Sequence, residues 1–234
     1  GSLFLADWIG GYPLDGLGAV WRADVAENAR DPRREETRAL LEEGFGGRNP
    51  FELLGRLGHP FEWRAPDIDE TPLLGESPKA LASRLALAKA KTLAHDEPRA
   101  LIIGSDQVCA LGDDCLGKPA SPAAQAEMLA RLSGRRVTFF TAVAVVGIEA
   151  GLWQQHVDET HCEFRQLSRA EIAAYVAAEP ATDCAGGFKC EGLGISLLER
   201  MHSDDPTAII GLPLIWLARS LRPFSAPGSS SATA

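Results

Sequence analysis

Two acidic stretches of the chain combine residue types that can activate water or hold a cation. The first is GSDQ, residues 104–107, which places Asp106 directly after the apolar run 101–103. A carboxylate at the end of a buried strand is held rigidly and opens into the crevice where α/β proteins bind ligands. Burial would raise its pKa and a nearby cation would lower it, which suits a general base or a metal ligand. The alternative is an aspartate that only caps a helix or a turn.

The second acidic stretch is PDIDE, residues 66–70, which ends at Glu70 and holds three carboxylates within four residues. Because like charges repel one another, this spacing favours a bound cation. Mg²⁺ takes such oxygen ligands and completes its shell with waters and substrate phosphates. An acidic turn in solvent is the alternative.

Two of the five lysines stand where they could neutralise phosphate. Lys118 lies in the sequence LGKP, residues 116–119, and Lys89 lies in the helical sequence RLALAKA, residues 84–90. A lysine acts on phosphate as a compact point charge. Arg84 and Lys89 do not quite share one helix face, so only one of them needs to point into a crevice. A lysine in a hairpin turn and a solvated helix lysine are the alternatives.

The sequence CAGGFKCEGLG, residues 184–194, surrounds Glu191 with four glycines. Glycine permits positive φ and a close approach of the backbone to a ligand. The Glu191 carboxylate could accept hydrogen bonds from the edge of a nucleotide base. A glycine-rich turn between strands is the alternative.

Serine–proline pairs and apolar runs predict the elements that must position these residues. Ser77 followed by Pro78 predicts a helix that runs to about residue 94, and Ser121 with Pro122 repeats this signal. Since strands and helices are mixed without a strict βαβ rhythm, we expect an α/β fold with a mixed sheet and helices on its faces, not a Rossmann sheet. Ser168 with Glu171 predicts a capping box at the start of a helix over 168–178. The other predicted elements are strands over 61–65, 101–103, 137–146 and 153–164, and helices over 51–57 and 214–221.

The composition is that of a globular protein and excludes several classes. The chain has 234 residues, of which 45% are hydrophobic and 24% are charged, and its net charge is −9. These values exclude collagen, long coiled coils and wholesale disorder. An acidic chain gains no general electrostatic attraction to nucleic acid or anionic membranes. Five cysteines without a C-x-x-C pair, no apolar run of about 18–20 residues and no secretory signal lead us to expect a cytoplasmic protein.

Taken together and in this order, these stretches resemble the Maf-type nucleoside triphosphate pyrophosphatases, and the resemblance covers about residues 51–222. The forms GSDQ, FRQLS and AGGFKCEGLG look like the 7-methyl-GTP pyrophosphatase branch. The UTP/dTTP branch would have Thr after the aspartate and Gln in place of Glu191. Further matching stretches are GES (75–77), SGRRVTFFTAV (133–143), YVAAEPATDC (175–184) and DDPTAIIGLPL (204–214).

The resemblance implies an elongated mixed sheet with a central cleft, and a homodimer. It also implies water attack on a nucleoside triphosphate, which gives a monophosphate and pyrophosphate with the help of Mg²⁺ or Mn²⁺. The substrate is thus a free nucleotide and not a nucleic acid polymer, and we expect no membrane as a partner. Asp106 would accept the proton of water and, with Glu70, would hold the metal. Lys89 and Lys118 would neutralise phosphate charge.

The resemblance assigns the choice of base to Gln107 and Glu191. A cationic N7-methylguanine favours a carboxylate and an aromatic face, which makes Glu191 chemically sensible.

The chain departs from the family at its N-terminal part. The family begins with a strand that reads like L-A-S-x-S-P, an aromatic or other residue and two arginines, and its serine and arginines help to bind phosphate. Here GGRNPF, residues 46–51, stands in that place, and we expect the apolar first strand to be absent. Arg48 could supply anion binding, and Phe51 could stand for the aromatic residue. We therefore divide the chain into an atypical extension over 1–45, the domain over 46–222 and a disordered tail over 223–234.

Three explanations of this departure stay open. One is a genuine variant in which Arg48 and the glycine-rich backbone bind the anion. The second is an impaired relative that binds nucleotide without turnover. The third is a shifted reading frame or wrong start before residue 50, and it best fits the abrupt beginning of the match.

Overall fold

A mixed sheet of nine strands runs through the residues that the computed structural model describes, which are 2–7, 19–20, 23–24, 50–59, 61–64 and 66–224. The strands are β1 (Ser2–Asp7), β2 (Ala19–Val20), β3 (Ala23–Asp24), β4 (Glu62–Trp63), β5 (Ala100–Leu111), β6 (Asp114–Leu116), β7 (Arg136–Gly147), β8 (Leu152–Phe164) and β9 (Leu198–His202).

The strand order is β2-β1-β5-β7-β8-β9, with β3 and β4 paired to β1 and β6 paired to β5. The pairs β1–β5 and β1–β4 are parallel, whereas β5, β7, β8 and β9 follow one another antiparallel. This confirms the prediction of a mixed α/β sheet.

Side-chain caps begin three of the helices at the residues that the sequence indicates. The Oγ atoms of Ser77 and Ser121 each accept a hydrogen bond from the backbone N–H three residues later, at 3.2 Å. Ser168 and Glu171 form a complete capping box. These caps confirm the predicted helix starts. The helices are α1 (Pro50–Gly55), α2 (Pro78–Ala94), α3 (Pro122–Leu132), α4 (Arg169–Ala178) and α5 (Leu214–Leu221), with short 3-10 turns at Ala185–Gly187, Leu193–Leu197, Ala208–Ile210 and Arg222–Phe224.

The prediction that Asp106 follows the end of a buried strand is wrong. Strand β5 continues through Gly104 and Asp106 to Leu111, and its residues 102–110 pair continuously with β7. Glycine, serine and aspartate favour turns in isolation. Here the backbone hydrogen bonds to a long neighbouring strand outweigh that local preference, so Asp106 sits in the middle of a strand.

Strand β1 shows that part of the first 45 residues belongs to the sheet. Ser2–Asp7 pairs in parallel with β5 between Ser2↔Ala100 and Ala6↔Gly104. The prediction that an apolar first strand is absent is therefore wrong, because this strand pairs with β5 although no sequence motif marks it. The division of the chain into an extension, a domain and a tail stays a prediction, and residues 25–49 and 225–234 lie outside the described residues.

A glycine lets helix α2 lie directly on strand β5. A Cβ atom at Gly104 would stand 2.1 Å from the carbonyl oxygen of Ala86 and 2.8 Å from the backbone nitrogen of Ala90. Both distances are far below any normal contact, and both neighbours are backbone atoms that cannot turn aside. The absence of a side chain at Gly104 thus sets the depth at which α2 presents Lys89 to the sheet.

We expect Gly104→Ala to lower the free energy of unfolding by about 3 kcal/mol, because the new methyl group overpacks a backbone contact. Denaturant unfolding measures the effect. Gly55→Ala is the matched control, since a Cβ atom there has nothing within 4 Å, and it should not lower the free energy of unfolding, because alanine favours a helix over glycine. Equal stabilities of the two variants would contradict the close contact.

Candidate active site

A buried lysine joins two carboxylates at the centre of the site. The Nζ atom of Lys89 lies 2.6 Å from Oδ1 of Asp106 and 3.0 Å from Oε1 of Glu70. The side chain of Lys89 is fully buried and that of Asp106 is 4% exposed, whereas that of Glu70 is 35% exposed. The cluster therefore has a closed inner end on α2 and β5 and an open end at Glu70, where a ligand can enter.

The buried position of Asp106 makes its carboxylate a stronger base than an exposed one. Burial raises the pKa of Asp106, and the positive charge and hydrogen bond of Lys89 oppose that rise only in part. A carboxylate with a raised pKa binds a proton more tightly once it is ionised, so it can take a proton from water more readily.

Lys118 completes the cluster from a loop that follows β6. Burial lowers the pKa of its half-buried ammonium group to about 7, against the opposing charge of Glu70 and in the same direction as Lys89. These interactions put Lys118 within electrostatic reach of Lys89, Asp106 and Glu70. We call these four residues the lysine–carboxylate cluster. The structure thus brings together four predicted site residues that are spread over positions 70–118.

An arginine that sequence reasoning left without a role holds the acidic loop in place. Arg84 binds Glu76 through two nitrogen atoms, at 2.6 Å and 2.8 Å, and donates a third hydrogen bond to the carbonyl oxygen of Thr71 at 3.0 Å. The paired arginine lowers the pKa of Glu76 to about 2. Because residues 71–76 follow Glu70 directly, this pair restrains the loop that carries Glu70. The signal available in the sequence was the motif GES, which contains Glu76.

Gln107 points away from Asp106, because successive side chains of a strand face opposite sides of the sheet. Its Nε2 atom donates hydrogen bonds to Oγ1 of Thr141 at 2.9 Å and to the carbonyl oxygens of Ala208 and Ile209 at 3.0 and 3.1 Å. The structure therefore does not bring the Gln107 amide together with the lysine–carboxylate cluster. Its role in the choice of base stays a prediction.

Glu191 lies on the segment 183–194, which we call the 183–194 loop. The residue is exposed, yet desolvation of its carboxyl group raises its pKa, with Lys189 opposing and Glu179 and Asp183 reinforcing the rise. Asp183 in turn acts on Lys118. The 183–194 loop therefore adjoins the lysine–carboxylate cluster on the side of Lys118.

The structure requires glycine at four positions of this loop for two different reasons. Gly186 and Gly187 have φ angles of 75° and 70°, which only glycine adopts without strain. A Cβ atom at Gly192 would stand 2.0 Å from Oε1 of Glu179, and one at Gly194 would stand 2.5 Å from the carbonyl oxygen of Lys189. At these last two positions the close approach predicted for a ligand is made by the protein itself.

The two remaining predicted contacts cannot be placed in the site. Arg48 lies outside the described residues, and Phe51 is known only as a backbone position in helix α1. No group of three or more His, Cys, Asp and Glu residues within the described ranges is arranged to hold a metal. No helix among those same ranges combines the length and the hydropathy needed to cross a bilayer.

Curated relatives match most of the chain. A 7-methyl-GTP pyrophosphatase of Albidiferax ferrireducens is 48% identical over 180 residues, which cover 76% of this chain and 90% of the relative. A second, from Cupriavidus metallidurans, is 51% identical with the same coverage. A third, from Xanthomonas oryzae pv. oryzae, is 52% identical over 171 residues, which cover 73% of this chain and 89% of the relative. These relatives are named as pyrophosphatases, hydrolases that cleave acid anhydrides, and they support a nucleotide pyrophosphatase function.

The model of the Maf-like protein family matches residues 51–224, which include all four members of the cluster around Lys89. With these relatives and this match over most of its length, the chain belongs to the Maf-like protein family.

Proposed function

We propose that this protein hydrolyses 7-methyl-GTP, or a closely related modified nucleotide, to the nucleoside monophosphate and pyrophosphate. The observation that carries the proposal is the buried contact of Lys89 with Asp106, with Glu70 at its open end. It combines a base, a cation and an accessible carboxylate, which are the groups that phosphoryl transfer needs. The names of the curated relatives favour 7-methyl-GTP as the substrate. Such a reaction would remove a modified nucleotide from the cytoplasmic pool.

In this proposal Asp106 is the proton acceptor. A water oxygen forms a bond to the α-phosphorus while the bond from that phosphorus to the bridging oxygen breaks, and pyrophosphate leaves with the bridging oxygen. The proton of the water passes to Asp106 and then to solvent. Burial of Asp106 supports this role because it raises the pKa of the carboxyl group.

Lys89 and Lys118 act in this proposal as positive charges at fixed positions, next to Asp106 and the phosphates respectively. Lys89 holds the Asp106 carboxylate in one position through the 2.6 Å contact. Lys118 is less buried and lies in a loop, so we assign it to the phosphates that become more negative as the bond breaks. Positive groups that are already in place stabilise this charge without the cost of reorienting solvent.

Glu70 and Asp106 are the residues that we propose as ligands of a divalent metal, Mg²⁺ or Mn²⁺. Two carboxylates fit a cation that completes its shell with waters and substrate phosphates and needs no cage made wholly of protein. The partly exposed side chain of Glu70 supports this choice, because a metal–nucleotide complex can reach it from solvent. A bound metal would add Lewis-acid neutralisation of the phosphate charge.

Glu191 is the residue that we assign to recognition of the base. A carboxylate attracts the positive charge of N7-methylguanine and accepts hydrogen bonds from the guanine edge. Gln107 contributes, in this proposal, through the turn at Ala208–Ile210 that its amide holds. Arg48 and Phe51 stay proposed contacts of the phosphates and the base. We further propose a cytoplasmic homodimer, and the five unpaired cysteines support the reducing compartment.

A second candidate is a nucleotide-binding protein without turnover. The family match begins only at residue 51, so it leaves out the stretch in which the resemblance led us to expect a phosphate-binding serine and arginines. A protein without those residues would retain the lysine–carboxylate cluster and still bind a nucleotide.

A panel of nucleotides separates these candidates. With Mg²⁺ or Mn²⁺ present, we expect pyrophosphate to be released from 7-methyl-GTP faster than from GTP, UTP or dTTP, and the nucleoside product to be the monophosphate. Tight binding of 7-methyl-GTP without any product would favour the second candidate. Release of inorganic phosphate together with a diphosphate would contradict both and would indicate another phosphohydrolase.

Asp106→Asn should lower kcat by about a thousandfold, because the amide cannot accept the proton of the attacking water. The dissociation constant of 7-methyl-GTP should change only a few-fold. Pyrophosphate release and equilibrium titration measure the two quantities. Asp114→Asn, at an exposed position of β6, is the matched control and should leave kcat unchanged. A residual rate near that of the wild type would remove Asp106 from the role of base.

Lys118 should give kcat/KM a falling limb near pH 7. Burial lowers the pKa of its ammonium group to about 7 in the free protein, so the group loses its positive charge as the pH rises through that value. Since kcat/KM reports the free enzyme, the rate should fall there. In Lys118→Arg the charge persists to high pH, so the limb should disappear or move upward. An unchanged limb in this variant would assign the titration to another group.

A further inference from the structure

The C-terminal end of helix α4 presents two polar side chains to the 183–194 loop. Tyr175 lies in the last turn of the helix, and Glu179 is the non-helical residue directly after it, whose backbone N–H donates a hydrogen bond to the carbonyl oxygen of Tyr175 at 2.8 Å. Tyr175 is buried and Glu179 is half-buried. Neither residue belongs to the lysine–carboxylate cluster, and neither has a role in the reaction proposed above.

The Glu179 carboxylate binds the backbone on the C-terminal side of Glu191. Its Oε1 atom accepts a hydrogen bond from the N–H of Leu193 and its Oε2 atom accepts one from the N–H of Gly194, each at 3.2 Å. Two donors on one ionised carboxylate form a charge-assisted pair that fixes direction as well as distance. The missing side chain of Gly192 leaves the space that this carboxylate occupies.

Tyr175 binds the backbone on the N-terminal side of Glu191. Its hydroxyl oxygen accepts a hydrogen bond from the N–H of Lys189 at 3.0 Å. The same hydroxyl interacts with the Glu179 carboxylate, and this interaction, after desolvation, raises the pKa of Tyr175. Both side chains thus bind the backbone of the same loop, and we call Tyr175 and Glu179 together the network.

The network holds the backbone at Lys189, two residues before Glu191, and at Leu193 and Gly194, two and three residues after it. A chain segment of so few residues between fixed points has little conformational freedom. A side chain that recognises a base by hydrogen bonds must be held to within about half an ångström, and neighbouring groups must supply that restraint. Glu191 is exposed and cannot obtain it from packing around its own side chain.

We infer that Tyr175 and Glu179 are positioning residues for Glu191, and that they set the preference of the site for an N7-methylated guanine base over an unmodified one. The inference rests on the proposed role of Glu191 in base recognition. Tyr175 and Glu179 do not touch the nucleotide; they act through the backbone of the 183–194 loop.

Glu179→Gln tests the inference with little change of shape. A glutamine can accept a hydrogen bond from one of the two backbone N–H groups but turns its own NH₂ group toward the other. We expect the ratio of kcat/KM for 7-methyl-GTP over GTP to fall roughly tenfold, through KM for 7-methyl-GTP, while kcat for GTP stays within about twofold. Tyr175→Phe should lower the same ratio. It keeps the buried ring, so it can replace Glu179→Gln as the test if that variant folds poorly.

Glu171→Gln is the matched control. It removes a carboxylate from the other end of the same helix, where Glu171 caps the helix and contacts Arg165. It should change stability without changing the ratio of the two nucleotides. A fall of the ratio in this variant as large as that in Glu179→Gln would show a general effect of the helix and would overturn the inference.

A double-mutant cycle with Glu191→Gln shows whether Glu179 acts through Glu191. In the Glu191→Gln background, Glu179→Gln should leave the nucleotide ratio unchanged, because the group that it positions is gone. Effects that multiply in the double variant would overturn the inference. The exchange rates of the amide hydrogens of Leu193 and Gly194 should rise in Glu179→Gln and stay as in the wild type in Glu171→Gln.

Titrations with 7-methyl-GTP and GTP without a divalent metal distinguish this inference from the proposed function. Suppose that the wild type releases no pyrophosphate but binds 7-methyl-GTP more tightly than GTP, and that Glu179→Gln weakens this preference. The positioning role then stands and the proposed hydrolysis fails. If the wild type hydrolyses 7-methyl-GTP and neither Glu179→Gln nor Tyr175→Phe changes the ratio, the proposed function stands and positioning is overturned. Equal affinities of the wild type for both nucleotides would also overturn it.

Discussion

The fully buried ammonium group of Lys89 is the constraint on which the site depends. A charged group inside a protein is tolerated only with partners of opposite charge, and Asp106 and Glu70 supply them at 2.6 and 3.0 Å. A different element positions each partner. Strand β5 carries Asp106, and Glu70 precedes the loop that Arg84 holds by hydrogen bonds to Glu76 and Thr71. Gly104 allows α2 to come close enough for the lysine to reach both.

The site has a rigid inner part and an outer part built on loops. The inner part lies between a long helix and a central strand, so its distances are set by the packing of regular elements. The outer part consists of Lys118 and the 183–194 loop, which are coupled through Asp183. This division suits an enzyme that performs one reaction and discriminates among substrates, since chemistry needs fixed distances and recognition resides in loops on a rigid scaffold.

Local signals in the sequence predicted much of the fold. The serine caps and the capping box of Ser168 depend only on residues three or four apart, and the structure confirms all three. The same reasoning failed at Asp106, because continuous pairing with β7 converts a turn-like sequence into strand. It also could not find β1, whose place depends on residues about a hundred positions away.

The sequence by itself determined the chemical types at the site and their order, because motifs record which side chains a reaction requires. Only the tertiary structure decided that Lys89 meets Asp106, that Gln107 faces the other side of the sheet, and that Glu179 reaches the backbone beside Glu191. These contacts join residues far apart in the chain or depend on which face of a strand is buried. Strand register and the packing of helices on the sheet set both, and no local spacing encodes them.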